Sequence, residues 1–147
     1  MSADALASWR REILDAAARR ELLSKLCFDH GGLVPAVLQD SPTGAVLMVG
    51  FMNPPALERT LATGLVHFWS RSRERLWLKG EHSGHYQLVE ELRVNCEENS
   101  LLLLVRSVGP VCHEGYSSCY FRRAGAGGKL EPVGERLFDP EDVYRTS

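Results

Sequence analysis

The sequence predicts an α+β domain built mostly from antiparallel strands, with a helical stretch at its N-terminus and one short helix further in. Three observations lead there. Apolar residues recur at helical spacing only before Leu26 and again just after Asn53. Six segments between Leu33 and Val108 have strand length and strand composition, separated by turn residues. Parallel strand–helix–strand alternation is missing, and so is a glycine-rich phosphate loop.

Each element follows from its residues. From Ala3 to Leu26 the chain is rich in Ala, Leu, Arg and Glu, with Leu6, Trp9, Ile13 and Leu14, then Leu22, Leu23 and Leu26, on one face. This is an amphipathic helix, in one piece or two. Gly31-Gly32 marks a turn. Leu33–Gln39 and Ala45–Met52 read as strands around a turn at Ser41-Pro42-Thr43-Gly44. Asn53 is placed to cap a helix that opens on Pro54-Pro55, runs to Thr63 and stops at Gly64. Leu65–Ser70 and Arg75–Lys79 form a second strand pair. Gln87–Val94 alternates apolar and polar residues, and Ser100–Val108 is a strongly apolar strand ending at Gly109-Pro110. Beyond Cys119 the pattern weakens into a glycine-rich loop, Ala124–Gly128, and a tail segment, Glu131–Tyr144.

The chain has 147 residues, 44% hydrophobic and 24% charged, which suits one domain with a core of its own. A net charge of −2 gives no global electrostatic footprint for nucleic acid or an anionic membrane, so neither partner is expected. No window approaches 18 uncharged apolar residues, which argues against a membrane span. Met1–Trp9 lacks the basic and apolar regions of a signal peptide, so the expected location is the cytoplasm. In that reducing compartment the four cysteines are not expected to pair as disulfides. Cys27 stands alone and is expected to fill core space.

Cys96, Cys112 and Cys119 fall within 24 residues, beside histidines and carboxylates. Three thiolates without a CxxC knuckle leave a fourth tetrahedral position open, as a catalytic zinc requires. Three buried thiols, or a structural zinc completed by a histidine, fit the spacing as well. A hairpin-like return or a second subunit would have to bring the three together across the intervening strand. His113, adjacent to Cys112, points to the opposite face of an extended chain and suits a proton shuttle better than a ligand. Phe68 to His85 is dense in chemistry: arginine forks and serine hydroxyls suit a phosphate, and tryptophan offers a face to a base. A charged hairpin over a packed aromatic pair has the same composition. His82 and His85 form an HxxH that could hold a metal or stand exposed without one.

From Gly32 to Phe121 the chain resembles the phosphoribosyl-AMP cyclohydrolase family. The resemblance is carried by Leu33-Val34-Pro35-Ala36-Val37-Leu38-Gln39-Asp40, Gly44 through Asn53, Trp69-Ser70-Arg71-Ser72-Arg73, Leu76-Trp77 and Lys79-Gly80-Glu81. It ends in Gly109-Pro110-Val111-Cys112-His113-Glu114-Gly115 and Ser118-Cys119-Tyr120. It divides the chain into a helical extension over 1–31, a cyclohydrolase domain over 32–121 and a tail over 122–147. It implies an intertwined homodimer with zinc at the subunit interface, held by Cys112 and Cys119 of one subunit and Cys96 of the other. The implied reaction, in histidine biosynthesis, opens the purine ring of phosphoribosyl-AMP between N1 and C6, with zinc-bound hydroxide attacking C6. Trp69, Ser70, Arg71, Ser72, Arg73, Lys79, Glu81 and Ser83 would bind the substrate and His113 would serve catalysis; His82 and His85, which the family pattern lacks, are expected to join it as further catalytic groups.

Two departures stand out. Where the family has Asp-Cys-Asp-x-Asp, with three aspartates for magnesium, this chain has Asn95-Cys96-Glu97-Glu98-Asn99. Glu97 alone keeps an acid at a family position, so magnesium is expected to bind poorly or not at all. Where the family has Gly-Glu-Thr-Ser-Gly-Asn, this chain has Gly80-Glu81-His82-Ser83-Gly84-His85. Two groups that do not titrate near neutrality have become imidazoles. These changes admit a second reading, a paralogous zinc cyclohydrolase or amidohydrolase acting on another nucleotide-like or heterocyclic substrate. A non-catalytic zinc-binding scaffold is the third, and it would have no use for an open coordination position.

Overall fold

Asn53 and the two prolines after it behave as their chemistry requires. In the computed structural model, which describes residues 3–144, the Asn53 side chain accepts from Ala56 N at 2.9 Å. The helix then runs Pro54–Thr63 and closes at Gly64 in the left-handed region, φ 75°. The other elements, in chain order with this helix as α3, are α1 (Ala3–Trp9), α2 (Ala16–Lys25), β1 (Val34–Asp40) and β2 (Val46–Met52) before it. After it come β3 (His67–Ser70), β4 (Arg75–Leu78), β5 (Gln87–Val94), β6 (Leu101–Ser107), β7 (Arg122–Ala124), β8 (Leu130–Pro132) and α4 (Pro140–Tyr144). The outermost residues of the 1–31 and 122–147 segments lie outside the described residues.

The main sheet has the order β2-β1-β6-β5. β1 pairs antiparallel with β2, and β5 with β6, as adjacent strands joined by short turns do. The central pair, β1 with β6, is parallel, with Ala36 opposite Leu101 and Asp40 opposite Val105. The long connection through α3, the β3–β4 hairpin and β5 gives the chain room to return in the same direction. The expectation of a mostly antiparallel α+β fold is met, and this parallel seam is its exception.

One face of the central β1–β6 pair is lined by apolar residues. Val34, Ala36 and Leu38 of β1 meet Leu101, Leu103 and Val105 of β6 there, all at most 1% exposed. Alternate residues share a face, so these positions select themselves. α3 covers them with Ala56, Leu57 and Leu61. Truncating a buried leucine such as Leu57 or Leu103 to alanine costs about 2–5 kcal/mol. Thr60, also buried, ties helix to hairpin: its hydroxyl donates to Ala56 O at 2.8 Å and accepts from His67 N at 2.9 Å.

The N-terminal stretch forms two helices, with a break at which Asp15 caps α2 through Ala18 N. Arg19 then fastens α2 to the domain through Glu12 at 2.7 Å and Glu58 at 2.6 Å. Cys27, expected in the core, is exposed. It lies just past α2 in the connection to β1, where its backbone N–H donates to Glu98 O at 2.7 Å and Leu26 and Phe28 supply the inward side chains. The glycine-rich loop 124–128 proves to be the turn of the small β7–β8 hairpin.

Candidate active site

The β3–β4 hairpin builds one wall of the cavity. Phe68 pairs with Trp77, Trp69 with Leu76 and Ser70 with Arg75. Its turn, 71–74, is held by Ser70 Oγ accepting from Arg73 N at 3.2 Å. Glu74 takes a positive φ of 49°, which lets so short a turn close. Gly50 on β2 leaves space for the Phe68 ring, since a Cβ there would lie 2.5 Å from its ring atoms. The result is a cavity of about 800 Å³.

The cavity gathers most of what the sequence singled out. Trp69, Ser70, Arg71, Ser72, Arg73, Lys79, Glu81 and Ser83 all line it, as do His82 and His113. Arg71 is laid over the Phe51 ring at 4.1 Å, which fixes a flexible cation at the wall. Glu81 accepts from Arg75 at 3.0 Å and lies 3.7 Å from His82. Lys79 sits over Trp77, and burial holds its ammonium below the usual lysine range. Its opposing influences are Cys119 and Cys112, so the lysine lies near the thiols as well as at the cavity wall.

Those two thiols are close enough for Cys112 to act on the ionisation of Cys119. Cys112 is buried in the loop after β6, where Gly115 N bonds back to Cys112 O and Glu114 N donates to the sulfur at 3.5 Å. Cys119 is docked on the β2 edge, its N–H donating to Leu47 O at 2.7 Å. Although Cys119 is exposed as a residue, desolvation of its thiol and the neighbouring Cys112 push its pKa up to about 11. Two soft donors held together, with an N–H aimed at one sulfur, suit a thiophilic cation, whose charge would release their protons.

Cys96 lies elsewhere. It is exposed in the β5–β6 turn, and that pair forms the opposite side of the sheet from β2. Among the described residues no three His, Cys, Asp or Glu gather closely enough to hold a metal. The turn around Cys96 is closed by amides. Asn95 Nδ2 donates to Asn99 Oδ1 at 2.7 Å, and Asn95 Oδ1 accepts from Asn99 N and Ser100 N, both at 2.9 Å. Both amide oxygens are thus engaged, and Glu97 and Glu98 are exposed. These residues do not fit a magnesium ion, which prefers charged oxygen donors.

A model of the family described as phosphoribosyl-AMP cyclohydrolase matches residues 48–121, half of the chain. That span contains the cavity hairpin, Cys96, Cys112 and Cys119. The chain belongs to the phosphoribosyl-AMP cyclohydrolase family. Curated relatives bearing that name agree. The one from Pelotomaculum thermopropionicum is 52% identical over 122 residues, covering 83% of this chain and 95% of the relative. That from Methanosarcina acetivorans is 54% identical over 115 residues, covering 78% and 92%. That from Haloquadratum walsbyi is 48% identical over 117 residues, covering 80% and 86%.

Around this cavity the histidines separate. His113 is largely exposed at the cavity wall, 3.3 Å from Glu114 Oε1. His82 is exposed at the rim. His85 is not among the lining residues: it is half-buried, with Nδ1 3.1 Å from Pro110 O, and burial lowers its pKa. Sequence reasoning missed Phe51 and Tyr144 as wall residues. An aromatic at an outward position of β2 was a usable signal for Phe51. Nothing local signals Tyr144, which reaches the cavity from the far end of the chain. No helix among the described residues is long and apolar enough to cross a membrane.

Proposed function

We propose that this chain hydrolyses phosphoribosyl-AMP, opening its purine ring between N1 and C6 in histidine biosynthesis. The observation that carries the reading is one cavity that joins an arginine–serine turn to the loop bearing Cys112 and His113. Arg71 and Arg73, with the hydroxyls of Ser70 and Ser72, hold phosphate and ribose oxygens; planar guanidinium forks suit that task. Trp69 and Trp77 offer flat faces, and Glu81 keeps Arg75 in place. His113, paired with Glu114, accepts or returns a proton at the reacting end. His82 adds a titratable group at the rim, close to the carboxylate of Glu81.

Zinc would be held by Cys112 and Cys119, with Cys96 from a second copy of the chain, in a homodimer. When bound it supplies Lewis acidity for activating water. Lys79 and His113 line the cavity, and Lys79 is close enough to Cys112 and Cys119 to feel their charge. Magnesium binds weakly or not at all in this reading, because the amide-closed turn leaves Glu97 and Glu98 as its only acids.

The replaced residues at 82, 95 and 99 favour a second reading, a zinc hydrolase acting on a different nucleotide-like heterocycle. Phosphoribosyl-AMP incubated with zinc-replete protein and followed by its ultraviolet change separates the two. Turnover is expected. Its absence transfers the cavity to another heterocycle.

A further inference from the structure

After β8 the chain turns at Gly134 and comes back over the Cys112–Gly115 loop. Leu137 N donates to Gly115 O at 2.7 Å, and Arg136 Nε donates to Glu114 O at 2.9 Å. A second Arg136 nitrogen lies 3.9 Å from the Glu114 carboxylate. Gly115 has a φ of 96°, and a Cβ on it would run into the Phe138 carbonyl. Glycine is therefore what lets the returning chain lie against the loop.

Phe138 finds its packing partner in His85. The rings meet edge-on at 5.3 Å, and His85 is itself held by Pro110 O and pressed against Gly109. Phe138 next touches Tyr144, with ring centroids 6.4 Å apart. Asp139 closes the intervening turn by accepting from Glu141 N at 3.0 Å through its side chain and from Asp142 N at 2.9 Å through its carbonyl. Tyr144 then stands at the cavity wall.

We infer that residues 134–144 form an arm docked on His85, and that Tyr144 at its end contacts the substrate. Tyr144 is thus a binding residue, and His85 and Phe138 position it. This rests on reading the cavity as the site of a nucleotide-like substrate. The tyrosine presents a flat apolar face to a purine, a contact any π-surface can accept. The arm explains an imidazole that lines no cavity and a tail that forms no large core.

The test uses the full-length protein, with two ligands: phosphoribosyl-AMP for turnover and 5′-AMP as a non-reacting probe of affinity. Tyr144→Ala should raise KM and the 5′-AMP Kd about 10-fold, as loss of an aromatic–base contact does, with kcat within about twofold. Tyr144→Phe should stay near wild type. Phe138→Ala and His85→Ala should each reproduce the rise, and the double variant should be no worse than either alone, because both act through one contact. Amide exchange over 135–144 should lose protection in Phe138→Ala and His85→Ala and keep it in Tyr144→Ala. Unchanged KM and Kd in Tyr144→Ala overturn the inference, as do multiplicative effects of His85→Ala and Phe138→Ala. Turnover with a Tyr144-independent KM refutes the arm and spares the activity. No turnover with a Tyr144-dependent 5′-AMP affinity does the reverse, and absence of both turnover and affinity refutes both.

Discussion

The cavity hairpin and the cysteine cluster are built on opposite terms. Residues 67–83 come together within one short stretch: strand pairing, the Ser70 turn and the Arg75–Glu81 contact complete the wall locally. The cysteines come from two sides of the sheet, and a single chain brings Cys112 to Cys119 but leaves Cys96 on the β5–β6 turn. The contrast teaches that a wall of polar side chains and a cluster of thiols have different requirements. A binding wall needs side chains in register, which a hairpin supplies. A thiolate cluster concentrates like charge once ionised, so it forms only where a cation and the right chains converge.

The largest effect should break the cluster and leave the wall. Cys112→Ser should lose most of its bound zinc and at least about 100-fold in turnover, since even an outer partner of a metal ligand costs 10–100-fold. The 5′-AMP affinity should change much less. Metal analysis with steady-state kinetics checks this, and full zinc retention would remove Cys112 from the site.

The second sharpens the claim that the cluster spans two chains. Cys96→Ser and Cys119→Ser should each be inactive alone. Unfolded and refolded together, they should recover about a quarter of wild-type activity, because random pairing leaves one intact site in half of the dimers. Heterodimers that form and stay inactive would place the site within one chain.

A third concerns the amide-closed turn. Asn95→Asp with Asn99→Asp sets two carboxylates where Nδ2 now donates to Oδ1. The lost hydrogen bond and the repulsion should cost about 1–3 kcal/mol, a fall in Tm of about 2–10 °C for a chain this size. Added magnesium should restore the double variant and leave wild type unmoved. A magnesium-induced rise in wild-type Tm would mean that Glu97 and its neighbours bind the ion after all.

The smallest effect lies behind the wall. His67 is buried at the start of β3, its Nδ1 2.8 Å from Leu65 O, and burial lowers its pKa from the usual 6.5. The unfolded chain therefore binds a proton more readily, so stability rises with pH and declines as pH falls below about 6.5. Arg59 and Arg10 deepen the shift and Glu81 opposes it. His67→Gln should flatten that part of the Tm–pH profile. An unchanged profile would assign the acid sensitivity to other groups.

How much of this was legible in the sequence varies with contact range. Asn53-Pro54-Pro55 and Gly64 announced α3 because caps act on neighbouring residues. Alternation placed β5 because side-chain direction is set by the next residue but one, and an unbroken apolar run between turn residues placed β6. The arginine–serine turn was legible as a unit because a hairpin joins what is already close in the chain. Cys27 went the other way: a lone thiol reads as apolar filling, but the backbone passes the edge of the domain there and leaves it exposed.

The sequence by itself determined the elements as far as β6, the family, the residue types of the wall and the three cysteines as a set. The tertiary structure alone decided which of them meet. The parallel seam of β1 and β6, the pairing of Cys112 with Cys119 apart from Cys96, and the arm that carries Tyr144 past His85 all join residues far apart in the chain. No local propensity encodes such contacts. They follow from which apolar faces can be buried together once the sheet order is fixed, and that is a property of the whole chain.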